Sequence, residues 1–298
     1  MKPELYRRVT IPAHMSPVFL PVGTVSEKEV AVLGSMGELF IRGGSNSALD
    51  QYARWNEPDH RAELERVTNA WTMLIRDRHQ RVTRLGPRFF QTLIPENSSL
   101  YPHLLPPEYR HIDGPTAALS GINRELSVDR GWYVDAFSVL DGDASNDRMW
   151  PRTGSHWTPA GTRALTVDLL ERIDPQAAAE VREVPLTASA KIESDLGNHL
   201  FGQGVAEFAP APDPESLTFG RRLTKLDYHD DATPKRSSWR CDDPLIDQRV
   251  LIFGTHTLRS HRWRTASPGG SCACSESRSS CGHPKCEMTQ FVSTCPTS

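Results

Sequence analysis

One short segment, Arg152 to Gly161 (RTGSHWTPAG), sets a histidine directly ahead of a strong helix start. A threonine oxygen such as that of Thr158 caps free N–H groups, and Pro159 is tolerated in a first helical turn. His156 is thereby held in a defined direction, and imidazole exchanges a proton near neutrality. The chemistry this permits is general acid–base catalysis, weighed against the plainer reading of a structural histidine.

Other residues of chemical interest read more simply. Glu63, Glu65 and the arginines around them form a solvated helix face, and Trp71 belongs to a core. Asn46, in a Gly-Ser-Asn turn, reads as a turn residue. Asp135 closes a strand, where an α/β active site and a capping carboxylate are equally at home. Near the C-terminus, Cys272, Cys274, Cys281, His283, Cys286 and Cys295 are zinc-ligand types. Their Cys-x-Cys and Cys-x-x-x-x-Cys spacings do not make paired Cys-x-x-Cys knuckles, so no metal site is expected. A disulfide framework would need an oxidising compartment.

The elements that must position His156 follow from periodicity. Val30–Leu33 and Glu38–Arg42 flank Ser35-Met36-Gly37, a hairpin pattern. After Pro58-Asp59, Leu64, Val67, Trp71, Leu74 and Ile75 recur at helical spacing, which predicts an amphipathic helix over 58–84. Phe89–Ile94 reads as a buried strand, Thr116–Leu126 as a helix and Trp132–Val134 as a second strand. Leu165, Leu169 and Ile173 give the helix over 159–173 a one-sided apolar stripe. Residues 176–248 are weakly patterned, and Arg249–Phe253 (RVLIF) is the next buried strand. Alternating strands and helices predict an α/β sandwich with a mostly parallel sheet.

Composition narrows the rest. The chain has 298 residues, 34 Lys plus Arg against 37 Asp plus Glu, and 24% charged residues. That balance argues against a dedicated nucleic-acid binder. No apolar run approaches the ~18 residues of a membrane span. The lead-in, residues 1–27, is broken by Pro3, Pro12, Pro17 and Pro21 before a signal-peptide core forms, so the chain as written reads as cytoplasmic. The body runs from 28 to 253. From Gly254 to Ser298 the composition changes: 15 Ser plus Thr, five of the six cysteines and few apolar side chains. Such a tail contributes little core and is expected to be disordered.

Five segments stand in a telling order: LFIRGGSNSALDQY (Leu39–Tyr52), IPENSSLYPHLLP (Ile94–Pro106), YVDAF (Tyr133–Phe137), GSHWTPAG (Gly154–Gly161) and RVLIFG (Arg249–Gly254). Together they resemble the SGNH-hydrolase-like acetyltransferases of the alginate O-acetyltransferase type, over roughly residues 29–254, HWTPAG being the most specific piece. The resemblance implies a three-layer α/β sandwich, here incomplete at the C-terminus. It implies acetyl transfer to polysaccharide hydroxyls through an acetyl-serine, with acetylesterase activity as a side capability. It calls for an acetyl donor and no cofactor, for a polysaccharide or other carbohydrate as substrate, and for a periplasmic or cell-envelope setting.

In that family the Asp and His of a Ser-His-Asp triad lie in an Asp-Thr-His-Trp motif, and the serine follows a buried strand in Gly-Asp-Ser or Gly-Thr-Ser. His156 and Trp157 match. Gly154 stands where the triad aspartate is due, leaving Asp141, Asp143, Asp147 or a backbone carbonyl to orient the imidazole. His256 stands where the nucleophile is due, flanked by Thr255 and Thr257, which a tight turn would point elsewhere. The expected consequence is a chain inactive as translated. The other reading is a non-catalytic carbohydrate-binding or scaffold protein that kept the fold.

The abrupt change at residue 254 suggests a shifted reading frame. Taking the third base of each codon with the first two of the next, Gly254-Thr255 permits Asp, Thr255-His256 permits Ser and His256-Thr257 permits His or Tyr. Gly-Asp-Ser-His is thus available. The same shift turns Met288-Thr289 into Asp without ambiguity.

Overall fold

A computed structural model of the chain describes residues 6–9, 18–44, 47–129, 131–142, 147–202, 205–212, 223–229, 236–241, 244–253, 272–275 and 289–295. The strands are β1 (Tyr6–Val9), β2 (Val18–Pro21), β3 (Ala31–Leu33), β4 (Leu39–Ile41), β5 (Arg88–Leu93), β6 (Tyr133–Asp135), β7 (Ala188–Glu193), β8 (Ala206–Ala211), β9 (Leu223–His229), β10 (Arg236–Cys241), β11 (Arg249–Phe253), β12 (Cys272–Ser275) and β13 (Thr289–Cys295). The helices are α1 (Ala48–Asn56), α2 (Arg61–Arg84), α3 (Asn97–Leu100), α4 (Ala117–Leu126), α5 (Ala136–Asp141), α6 (Pro159–Ile173), α7 (Pro175–Arg182) and α8 (Asp195–Phe201). The fold is α/β. No helix among the described residues is long and apolar enough to cross a membrane.

The main sheet has the order β6-β5-β13-β11-β12-β10-β9. β5 and β6 are parallel, as are β11 and β12; the other four pairings are antiparallel. The sheet is therefore mixed, which corrects the expectation of a mostly parallel one. The short connection between β9 and β10 permits only an antiparallel hairpin, whereas a parallel pair needs a long crossover such as α4 between β5 and β6. RVLIF does lie in this sheet, but β13 separates it from β5, and Val250, Leu251 and Ile252 are half-buried.

Of the tail, the described segments are β12 and β13, which both pair in the main sheet. Strand pairing is made by main-chain groups, so a polar, apolar-poor segment can join a ladder that its composition does not announce. The lead-in likewise pairs β1 with β2, and the weakly patterned region supplies α7, α8 and the hairpin β7–β8.

Two apolar clusters hold the part of the molecule around His156. On one face of β5 and β6, Leu93 and Tyr133 pack with Ile75 of α2 and Leu119, Ile122 and Leu126 of α4. α2 buries Thr68, Thr72 and Ile75, while Leu74 is exposed, so the buried stripe is rotated from the one read by spacing. Gly121 makes this possible, because a Cβ there would come within 2.9 Å of Thr68 Cγ2. In the second cluster Ile94, Val134 and Leu140 meet Met149, Trp150, Trp157, Ala160 and Leu165. Burial of such large side chains stabilises by about 1.5–3 kcal/mol each.

Candidate active site

The loop 148–158 ahead of α6 is closed on itself. Thr158 N–H donates to the Met149 carbonyl at 2.8 Å, and the Thr158 hydroxyl donates to the Arg148 carbonyl. Thr158 Oγ1 also caps α6 by accepting from Gly161 N–H at 3.3 Å, with Pro159 in the first turn. Gly161 is needed for close approach: a Cβ would lie 2.8 Å from the Met149 carbonyl oxygen. Trp157 is buried with its ring centroid 6.3 Å from that of Trp150, whose Nε1–H donates to the Ser155 carbonyl at 3.3 Å. The whole HWTPAG segment thus serves to fix the backbone on either side of His156.

The outer side of the loop is clasped by the region around α8. Arg152 N–H and Thr153 N–H donate to the Glu207 carboxylate at 3.0 and 2.5 Å. Thr153 Oγ1 sits 2.6 Å from Glu207 Oε1 and from Ser194 Oγ, and Gly197 N–H donates to the Thr153 carbonyl at 2.8 Å. Asp195 opens α8 and accepts from Ser155 N–H at 2.7 Å and from the Ser155 hydroxyl. Ser155 Oγ is in turn 3.3 Å from His156 Nδ1, and Asp195 Oδ2 is 3.7 Å from the same nitrogen. His156 retains 15% side-chain exposure and Asp195 40%.

From the inner side comes the turn after β5. Glu96, Asn97, Ser98 and Ser99 are all buried. Asn97 Nδ2–H donates to the Leu39 carbonyl at 2.8 Å, Tyr52 and Ser99 hydroxyls share a 2.7 Å hydrogen bond, and buried Ser98 Oγ has no hydrogen-bond partner among the described residues. Burial pushes the Glu96 carboxyl up to about 7, and the negative charge of Asp195 adds to the effect. The β3–β4 hairpin completes the frame: Leu39 N–H donates to the Arg152 carbonyl at 2.6 Å. Glu38, wholly buried, meets Arg148 Nη2 at 2.7 Å through Oε1. Burial, the strongest influence, pushes Glu38 up to about 8 against the lowering effect of Arg148.

The expected site residues are thus distributed unevenly. His156 sits at the head of α6, half-buried and beside a carboxylate. Gly154 is a buried loop residue between Thr153 and Ser155. Of the three aspartates considered as orienters, Asp147 lies 3.7 Å from Arg163, Asp141 is an exposed end of α5, and Asp143 falls outside the described residues. Among the described residues, the carboxylate beside His156 is Asp195, 39 residues further along the chain. His256 and its threonine neighbours, and Asn46, lie outside the described residues. Asp135 is a cap, accepting from Phe137 N–H at 3.1 Å, Ser138 N–H at 3.3 Å and Asn123 Nδ2–H at 2.7 Å. Glu63 pairs with Arg54 at 2.7 Å on an exposed surface, and Trp71 packs at the edge of a core.

Sequence reasoning missed Asp195, Glu207 and Glu96. Ser194-Asp195 is an ordinary helix-start signal, and nothing local says which loop that helix will face. Glu96 carried a better clue, a lone acidic residue inside the otherwise uncharged TLIPENSSL.

No family model matches the chain, and no curated protein matches it. Solved structures do resemble its fold. Bacillus cereus PatB1 has 11% identity and a TM-score of 0.49 over 82% of this chain and 86% of that chain. Its structure with a sulfonyl adduct has 12% identity and a TM-score of 0.48, covering 83% of this chain and 84% of that one. The chain is likewise similar to the O-acetyltransferase domain of Pseudomonas putida AlgJ, at 17% identity and a TM-score of 0.48, over 83% of this chain and 79% of that chain.

Proposed function

We propose that the chain is an SGNH-hydrolase-like O-acetyltransferase domain of the alginate O-acetyltransferase type, acting on polysaccharide hydroxyls, whose nucleophilic serine is encoded in the frame adjacent to the one translated. The observation that carries the reading is the His156 imidazole, fixed at the capped start of α6 with Ser155 and Asp195 on its Nδ1 side. A general base needs that combination of a rigid backbone, partial exposure and a polar group behind the ring.

In the proposed reaction the serine of Gly-Asp-Ser, read across codons 255 and 256, attacks the acetyl carbonyl of an acetyl donor. His156 takes the hydroxyl proton and returns it to the departing donor group, leaving an acetyl-serine. A sugar hydroxyl then gives its proton to His156 and attacks the acetyl-serine. The acetyl ester forms on the sugar, and the serine recovers its proton from His156. Water in place of the sugar gives acetylesterase activity. The non-catalytic carbohydrate-binding reading draws on one observation, the histidine at position 256 where the nucleophile is due.

The test is to resequence the gene across codon 254, restore the missing base and assay both proteins with p-nitrophenyl acetate and with an acetyl-accepting polysaccharide. The chain as translated is expected to be inert. The restored chain is expected to turn over and to lose that activity on His156→Ala. A confirmed frame with no Gly-Asp-Ser beside it refutes the frame proposal, and saccharide binding without turnover in the restored chain supports the binding module instead.

A further inference from the structure

Asp195 comes from a helix that follows a β-strand and shares no sequence motif with His156, yet its carboxylate meets the residue beside that histidine twice. Ser155 N–H donates to Oδ1 at 2.7 Å, and the Ser155 hydroxyl donates to Oδ2. These contacts fix a direction of donation. A carboxylate only accepts, so the single hydroxyl hydrogen of Ser155 is committed to Asp195. Ser155 Oγ, 3.3 Å from His156 Nδ1, is then left with lone pairs facing that nitrogen. It can only accept there, which places the ring hydrogen on Nδ1 and the basic lone pair on Nε2. A second acid near Asp195 is Glu96 from the turn after β5, whose carboxyl burial pushes up to about 7, with the charge of Asp195 adding to the effect.

We infer that Asp195 is the orienting carboxylate of His156, acting through the Ser155 hydroxyl in place of the aspartate that Gly154 displaces. The inference rests on the reading of His156 as general base. It makes Asp195 and Ser155 positioning residues, and it makes α8 a working part of the site. Asp195→Asn reverses the relay. If the amide NH2 of the asparagine faces Ser155 Oγ, the serine hydrogen turns to His156 Nδ1 and the ring hydrogen moves to Nε2. Ser155→Ala removes the acceptor and has the same effect by a different route.

The tautomer is read directly by long-range 1H–15N spectra of the labelled full chain, with His156 assigned by its absence from His156→Gln. This measurement needs neither the nucleophile nor activity. Neutral His156 is expected to carry its hydrogen on Nδ1 in the parent chain and on Nε2 in both variants, with urea midpoints confirming that each folds. An Nε2–H form in the parent, or spectra unchanged in both variants, overturns the inference. In the frame-restored protein, Asp195→Asn is expected to lower kcat about 100-fold with KM little changed. If His156→Ala abolishes turnover but Asp195→Asn leaves kcat intact, the relay is refuted and the functional reading stands. If His156→Ala leaves turnover intact, the functional reading falls and the spectra alone decide the relay.

Discussion

Replacing Arg148 by Met tests how the β3–β4 hairpin is fastened to the loop that carries His156. Glu38 has no exposed surface, and Arg148 Nη2 reaches both of its oxygens while the guanidinium lies 4.5 Å from the Tyr101 ring centroid. Breaking a fully buried pair by removing one partner costs about 3–5 kcal/mol, because the other charge is left without compensation. Arg148 keeps 34% of its side-chain exposure, so water already screens part of the interaction, and about 2–3 kcal/mol is the better expectation. Glu38 can also escape by taking up a proton. Its carboxyl is raised from 4.5 to about 8 with Arg148 present, and it rises further without it. Between those values parent and variant lose stability in parallel as pH rises, since both hold the proton that the unfolded chain gives up. Above about 8 the parent stops losing stability while the variant continues. Urea unfolding should therefore show Arg148→Met less stable by about 1–2 kcal/mol near pH 6, for the lost hydrogen bonds and ring contact, and by about 2–3 kcal/mol near pH 9. A deficit already complete near pH 6 would mean that Glu38 is ionised throughout. A deficit under about 0.5 kcal/mol at both pH values would refute the claim that this pair pins the hairpin.

Glu96→Gln keeps the shape of the turn after β5 but removes a buried acid that must ionise. Because the folded-state value is raised from 4.5 to about 7, the parent's advantage is complete below 4.5 and is lost as pH rises to about 7. Over that window the variant should gain about 3 kcal/mol on the parent in urea unfolding, and a difference that does not change with pH would show that Glu96 titrates normally. Gly161→Ala gains about 1 kcal/mol of helix propensity but drives a Cβ to 2.8 Å from the Met149 carbonyl oxygen. A net loss of about 1–3 kcal/mol is expected, with altered fluorescence from Trp150 and Trp157; a more stable protein would show that the start of α6 is looser than this geometry.

The sequence alone determined what is decided within a few residues. Thr158-Pro159 announces its helix because a cap and a first-turn proline act locally, and Phe89–Ile94 announces a strand through its own apolar run. His156 was legible as a candidate for the same reason, its direction being set by the helix start beside it. Tertiary structure decided the partners. Asp195 reaches Ser155 only because the β7–β8 hairpin folds α8 back onto the loop, a contact with no local signature. Burial, not residue type, separates Glu96, pushed up to about 7, from the exposed carboxylates that resemble it in sequence. The sheet's mixed direction also lay beyond local reading. An apolar run specifies that a segment is extended, whereas its neighbours are chosen by hydrogen bonds from distant strands, here including β13 from a tail whose side chains gave no hint of it.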